Sequence, residues 1–365
     1  MNDSIARTKG PVRVVGAGLL GASVGLGLRE KGVDVILHDA SPTTLSLAVD
    51  YGAGRRAEPT DSPALVVVAV PPDLVAEVVA QELQAHPNAL VTDVASVKMA
   101  PLAELSLVGA DLSRYIGSHP MAGRERGGAI SARADLFIGR PWVIAANAGI
   151  PPAQISVIEQ LALDLGAVPV AMSAEDHDRA VALISHVPQA VSTLLARRLV
   201  DAEDTSLSLA GQGLRDTTRI AASAPELWVQ IMGANSKFII EILRDLRTDL
   251  DVLIHSLSDQ EASGARRSLA QILAGGNAGV ARLPGKHGQD RRFAQITVKV
   301  DDRPGELARL LTEIGEVGVN MEDLRLEHSP GAQIGLAEIA VLPEVEERLV
   351  AELEKRGWKI AGAYR

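Results

Sequence analysis

The chain contains no cysteine. That excludes disulfides, thiolate metal sites and a cysteine nucleophile, and it is compatible with the cytoplasm, the expected location. Aromatic residues make up only 2%, too few for the stacking platforms of single-strand nucleic-acid binders. Positive charge is in deficit: 36 Lys and Arg face 46 Asp and Glu, a net charge of −10 with no basic stripe. Nucleic acid is therefore not an expected partner. No run of about 18 apolar residues occurs, so no membrane span is predicted. Residues 1–10 are polar and lack the apolar centre of a signal peptide. No cluster of metal-ligating residues stands out, and no metal is expected.

What is present is enough for a substantial core. The 365 residues suggest two or three domains, and 47% hydrophobic with 22% charged residues is ordinary for a globular protein. From residue 10 to about 172, apolar β-branched runs at 12–15, 33–37, 65–70, 90–94 and 142–145 alternate with helical stretches. Continuous apolar runs of this kind predict parallel strands covered on both faces, an α/β Rossmann domain with a doubly wound parallel sheet. From 173 to 281 only Pro188 and Pro225 interrupt a helical texture. Ile239, Leu243, Leu246, Leu250, Leu253 and Leu257 recur by threes and fours, predicting an all-helical domain that packs on itself or dimerises. Residues 282–291 combine Pro, Gly and charge as a linker. From 292 to 365 the pattern starts afresh, with Ile296, Val298 and Val300 inward and Gln295, Thr297 and Lys299 outward. A helix carrying Leu307, Leu310, Leu311 and Ile314 follows; then come strands near 319–326 and 336–341, a helix near 344–355 and a strand at 358–360. The order βαββαβ predicts an α+β ferredoxin-like unit.

The first run leads directly into Gly16-Ala17-Gly18-Leu19-Leu20-Gly21 and a helix. Glycines there permit a tight turn and let backbone N–H groups approach a pyrophosphate at the helix N-terminus. The second run ends in Asp39, 18 residues after Gly21. A carboxylate there accepts ribose hydroxyls and repels a 2′-phosphate, so NAD is expected over NADP. Pro71 and Pro72 end the third run and either border the cofactor or simply terminate the strand.

Three further segments place polar residues where open α/β sheets hold ligands. In Thr92-Asp93-Val94-Ala95-Ser96-Val97-Lys98, Ser96 either hydrogen-bonds a substrate hydroxyl or caps a helix. In Gly117-Ser118-His119-Pro120-Met121-Ala122-Gly123-Arg124-Glu125, His119 is either a general base for alcohol oxidation or a turn-capping loop residue. In Gly213-Leu214-Arg215-Asp216-Thr217-Thr218-Arg219, the two arginines at i, i+4 either clamp a carboxylate or form a solvated face with Asp216.

The segments VVGAGLLGASVG, TDVASVK, GSHPMAGRERGG, HDRAVALISHVPQ and GLRDTTRIAASAPELW, in this order, resemble the TyrA-type prephenate and arogenate dehydrogenases of tyrosine biosynthesis. The resemblance implies an NAD-dependent enzyme, a homodimer, and a substrate site between the Rossmann and helical domains. It implies His119 as catalytic base, Ser96 as hydroxyl ligand and Arg219 as carboxylate ligand. Glu125 is implied as a gating or ordering acid, Arg215, Asp216 and Trp228 as a neighbouring network, and His177 as a structural histidine. Gln189 stands where relatives often carry a histidine near the substrate side chain, which leaves prephenate and arogenate both open, with prephenate favoured. The last segment, with DDRPGEL and Gly318-Val319-Asn320, resembles an ACT domain. That implies regulation by an amino acid such as L-tyrosine near Asp302, Pro304, Gly305 and Asn320, or else only a role in dimerisation. Two competing readings are another hydroxyacid dehydrogenase and a catalytically silent amino-acid sensor.

Overall fold

The computed structural model describes residues 6–123, 127–283, 293–328 and 334–363. They form two compact units: one runs to Ala202 and adds Thr217–Arg247, and the other comprises Glu203–Asp216 and the chain from Thr248 onward.

In the first unit, β1 (Val12–Val15), α1 (Leu19–Glu30), β2 (Val35–His38), α2 (Pro42–Asp50), β3 (Arg55–Arg56), β4 (Leu65–Val68), α3 (Val75–Ala85), β5 (Leu90–Asp93) and α4 (Met99–Leu107) alternate. Then come β6 (Tyr115–Pro120), β7 (Pro141–Ala145), α5 (Pro152–Asp164) and β8 (Val168–Ala171). The eight strands run in the order β3-β2-β1-β4-β5-β6-β7-β8. Side chains of period two divide the apolar content between the faces. Leu65 and Val67 join a core with Val24 and Leu28 of α1 and Ile158 and Leu161 of α5, while Val66 and Val68 join Val75, Val79 and Leu83 of α3 and Leu105 of α4. Helices on both faces explain why these strands read as unbroken apolar runs.

The doubly wound sheet thus stands, with two corrections. It is mixed, because β6 and β7 pair antiparallel, with His119 opposite Val143. The segment from Gly117 to Pro120, expected as a loop beyond the strands, belongs to β6. Its small and polar residues, Gly117, Ser118 and His119, carry no apolar periodicity; their strand state comes from pairing with buried Ala145, Ile144 and Val143 of β7, and at Gly117 also with Asp93 of β5.

Helices follow: α6 (Ala174–Val181), a π-helical turn (Ala182–His186), α7 (Val187–Arg197), α8 (Asp204–Leu207), α9 (Gln212–Thr218), α10 (Pro225–Ala234), α11 (Ser236–Ser258) and α12 (Ala265–Val280). Pro225 sits at the start of α10, where a missing N–H costs nothing, whereas Pro188 lies in a helix that runs on from the π turn. The π turn ends at His186, one residue before Val187-Pro188, whose proline ring cannot continue the ordinary ladder. Along α11, Ile239 is buried whereas Leu246, Leu250 and Leu257 are exposed.

The second unit also contains β9 (Ala294–Asp301), α13 (Glu306–Glu316), β10 (Asp323–His328), β11 (Ile334–Val341), α14 (Pro343–Lys355) and β12 (Lys359–Ala363). The sheet order is β10-β11-β9-β12, antiparallel throughout, so the βαββαβ succession folds as the sequence predicts. Ile296, Val298 and Val300 pack with Leu310, Ile314, Leu349 and Leu353 in its core. Gly305 begins α13 at φ +92, a left-handed value that requires glycine. The expected linker lies almost wholly outside the described residues, as does Glu125.

Candidate active site

The nucleotide end is built by the turn from β1 into α1. Gly16 has φ +96, and a Cβ there would lie 2.3 Å from the Ala69 carbonyl oxygen. A Cβ on Gly21 would lie 1.8 Å from the Gly16 carbonyl oxygen. Gly18 differs: nothing lies within 4 Å of its would-be Cβ, and as N-cap it leaves the first turn of α1, including Leu19 and Leu20, without a side-chain cap. Uncapped N–H groups facing open space form a cradle that fits a pyrophosphate. Asp39, at the end of β2, accepts Ala17 N–H at 2.7 Å and Ser41 N–H at 2.8 Å, one on each oxygen. Each carboxylate oxygen keeps a lone pair, so ribose hydroxyls can still be bound. Pro71 is exposed and leads into a 3-10 turn at Pro72–Leu74, where Asp73 accepts a 3.0 Å hydrogen bond from Gln230 of α10.

The chemical end is a buried polar network. His119, on β6, brings Nδ1 to 2.8 Å from Nε2 of His177 on α6. His177 is fully buried, and its Nδ1 lies 2.7 Å from Oδ1 of Asp178. Asp178 also accepts the backbone N–H groups of Lys98 and Met99, both at 2.8 Å. It therefore caps α4, the role that the sequence left open for Ser96. Ser96 itself lies half-buried in the bend before that helix.

Beneath the bend, Asp93 accepts hydrogen bonds from the Lys98 ammonium, from Tyr115 Oη at 2.7 Å and from Ala95 N–H at 2.8 Å. Ser118 donates to the Asp93 carbonyl at 2.7 Å and locks β6 to β5. On the other side, Asn235 donates to the Asp178 carbonyl at 2.7 Å and to His186 Nδ1 at 3.0 Å. The His186 ring meets Trp228 edge-on, 6.0 Å between centroids.

Electrostatics favour a neutral imidazole. Burial, then the like charges of His177, Lys98 and His186, hold His119 well below the ordinary histidine range. Burial, opposed by the charge of Asp178, pushes His186 down to about 4. Burial also lowers Lys98, against the pull of Asp93 and Asp178. A neutral histidine near the end of β6 can take a proton from an alcohol as hydride leaves.

The structure therefore gathers His119, His177, Asp178, Lys98, Asp93, Asn235, His186 and Trp228 into one network. Sequence reading missed Asp178, Asn235 and the contact made by His177. The dipeptide His177-Asp178 was the available signal, but its partner His119 is 58 residues away. Gln189 is buried on α7. Arg219 is exposed and opens a 3-10 turn where α9 ends at Thr218, so the two arginines do not extend from one uninterrupted α-helix. Arg215 and Asp216 belong to the second unit, where Asp216 accepts a 2.8 Å bond from Gln212 rather than serving Arg219. Of the expected effector residues, Asp302, Pro304 and Gly305 are exposed around the start of α13, and Asn320 is exposed and donates to Glu322 at 3.4 Å.

Two family models match the chain. "Prephenate dehydrogenase, nucleotide-binding domain" covers residues 24–171, and "Prephenate dehydrogenase, dimerization domain" covers residues 173–274. Probable prephenate dehydrogenase NovF of Streptomyces niveus is 37% identical over 353 residues, spanning 94% of this chain and 98% of that protein. Prephenate dehydrogenase of Bacillus subtilis is 24% identical over 335 residues, spanning 87% and 88%. Among solved structures, Synechocystis arogenate dehydrogenase matches with TM-score 0.61 and 30% identity, over 73% of this chain and 99% of its own. In fold, the chain is also similar to the A. aeolicus prephenate dehydrogenase solved with hydroxyphenyl propionate and NAD+, with TM-score 0.65 and 24% identity over 75% and 99%.

Proposed function

The chain belongs to the prephenate dehydrogenase family and is an NAD-dependent dehydrogenase, and from that premise we propose that it converts prephenate to 4-hydroxyphenylpyruvate and CO2 in tyrosine biosynthesis. The observation that carries the active-site reading is His119, kept neutral by burial and linked through His177 to a buried carboxylate.

NAD, when bound, supplies the hydride acceptor. The uncapped turn of Gly16, Gly18, Leu19, Leu20 and Gly21 would hold its pyrophosphate and Asp39 its ribose, and Pro71 would border it. His119 accepts the hydroxyl proton at Nε2, the ring nitrogen not engaged by His177. Ser96 hydrogen-bonds the same hydroxyl and orients it. Arg219 receives a substrate carboxylate, and Trp228 and Gln189 complete the surroundings of the substrate. Oxidation at C4 gives a ketone conjugated through both ring double bonds to C1, so the C1 carboxylate can leave as CO2, its bonding electron pair passing to the carbonyl oxygen as the ring aromatises. The proton taken by His119 is the one the resulting phenolate needs, so protons balance and the imidazole is regenerated.

A second reading is oxidation of arogenate to L-tyrosine. The 30% identity to an arogenate dehydrogenase and the presence of Gln189, which both donates and accepts, favour keeping it. The exposed apolar residues Leu246, Leu250 and Leu257 support a homodimer through the helical segment. The antiparallel βαββαβ unit supports an ACT domain that binds L-tyrosine near Asp302, Pro304, Gly305 and Asn320. On this reading the domains run 10–172, 173–281 and 292–365, and the enzyme works in the cytoplasm. Among the described residues no helix is long and apolar enough to cross a membrane. The test is NADH formation from prephenate and from arogenate in parallel, each with and without L-tyrosine. Activity on prephenate is expected; silence on both would overturn the active-site reading.

A further inference from the structure

We infer that Asp178 and His177 are positioning residues that fix the tautomer of His119, so that the proton of its imidazole sits on Nδ1 and the lone pair on Nε2 faces the reacting hydroxyl. The inference rests on His119 being the base.

Its direction follows from counting donors and acceptors along the chain of contacts. Asp178 receives two backbone N–H groups, from Lys98 and Met99, one on each oxygen, and a carboxylate so engaged presents only lone pairs to its neighbours. Nδ1 of His177, 2.7 Å from Oδ1, must then carry a proton, since a lone pair there would face a lone pair. With its proton on Nδ1, neutral His177 has only a lone pair at Nε2. That atom lies 2.8 Å from Nδ1 of His119, so the proton of this second contact belongs to His119. No solvent intervenes to offer another arrangement, because His177 and Asp178 have 0% and 1% of their side chains exposed. When His119 takes the substrate proton, the carboxylate also stabilises the imidazolium through the intervening ring.

The same carboxylate holds the backbone at Lys98 and Met99, two and three residues beyond Ser96. One anion therefore aligns the bend that presents the serine and the ring that takes the proton. The charged and titratable groups that act on His119 are His177 from α6, Lys98 before α4 and His186 from the π turn, with Asp178 behind His177 and Asp93 behind Lys98. Only Asp178 reaches the imidazole through a shared ring.

The decisive measurement is the side-chain 15N NMR of histidine-labelled, full-length enzyme, with the His119 signal assigned by its absence in His119→Asn. Protonation on Nδ1 is expected, and protonation on Nε2 overturns the inference. The tautomer is read on the unaltered chain; only the assignment uses a variant, a swap of one polar side chain for a smaller one that need not be active. In kinetics, His177→Leu should lower kcat by ~10²-fold with KM for substrate and NAD changed by less than about threefold. His177→Gln, whose carboxamide oxygen can accept from His119, should recover at least about tenfold of that loss. The acid limb of kcat against pH should also move in His177→Leu, which a merely structural contact would not do. If His119→Asn is silent while His177→Leu turns over like the parent, the relay fails and the base stands; if His119→Asn turns over normally, the base reading fails first.

Discussion

Gly18 and Gly21 stand three residues apart in one turn, yet substituting each by alanine should damage different properties. At Gly21 the new Cβ would lie 1.8 Å from the Gly16 carbonyl oxygen and 3.1 Å from Ala69 Cβ. Ordinary contact needs at least 3.4 Å to backbone, so the turn itself must shift, and such overpacking costs about 1–3 kcal/mol. Alanine returns about 0.5–1 kcal/mol of helix propensity, leaving a net loss of roughly 1–2 kcal/mol. For a unit of this size that lowers Tm by roughly 2–8 °C. At Gly18 nothing lies within 4 Å and φ is −73, which any residue adopts, so Tm should stay within about 1–2 °C. The methyl group would instead occupy the space over the first turn of α1, and NAD affinity should fall at least about tenfold, or 1.4 kcal/mol. Thermal melts without cofactor and NAD titration by fluorescence separate the two effects. If Gly18→Ala binds NAD like the parent, the cradle is misplaced; if Gly21→Ala melts like the parent, the steric reasoning is wrong.

Because His119 acts as a neutral base and its ionisation is held below the ordinary value of 6.5, kcat/KM should stay near its plateau as pH falls to 6.5 and decline only below that; a decline beginning above pH 7 would contradict the burial effect. His186 is buried neutral with its pKa pushed down to about 4, so the unfolded chain protonates first. Its contribution to stability is fully present above pH 6.5 and lost progressively as pH falls toward 4, which melts across that range will reveal and His186→Asn should partly flatten. Arg219→Ala should raise KM for prephenate by at least about tenfold with less effect on kcat; an unchanged KM would remove the carboxylate role. Asp39→Ala, which also frees the N–H groups of Ala17 and Ser41, should raise KM for NAD and narrow its advantage over NADP, measured as the ratio of kcat/KM with the two cofactors.

Some of this protein was decided by the order of residues alone. The glycine turn is one example, because strand, glycines, helix and Asp39 all lie within 28 residues and their steric demands are local. The alternation Ile296, Val298, Val300 is another: a strand with one buried face shows itself by its period, and the βαββαβ order that follows leaves few ways to pair. His119, Ser96 and Arg219 stood out as chemically suited residues in segments beyond strands. What they touch was not legible. β6 has no periodic signal, so its strand state and its antiparallel pairing with β7 depend on neighbours far along the chain. The cap of α4 comes from Asp178, 80 residues from Lys98, and not from nearby Ser96. His177 could be named but not connected, because its partners lie on β6 and on its own helix at once. Periodicity and turn chemistry are short-range properties written along the chain. The direction of a proton between two imidazoles depends on which acceptor-only group lies at the buried end, and packing alone brings that group there.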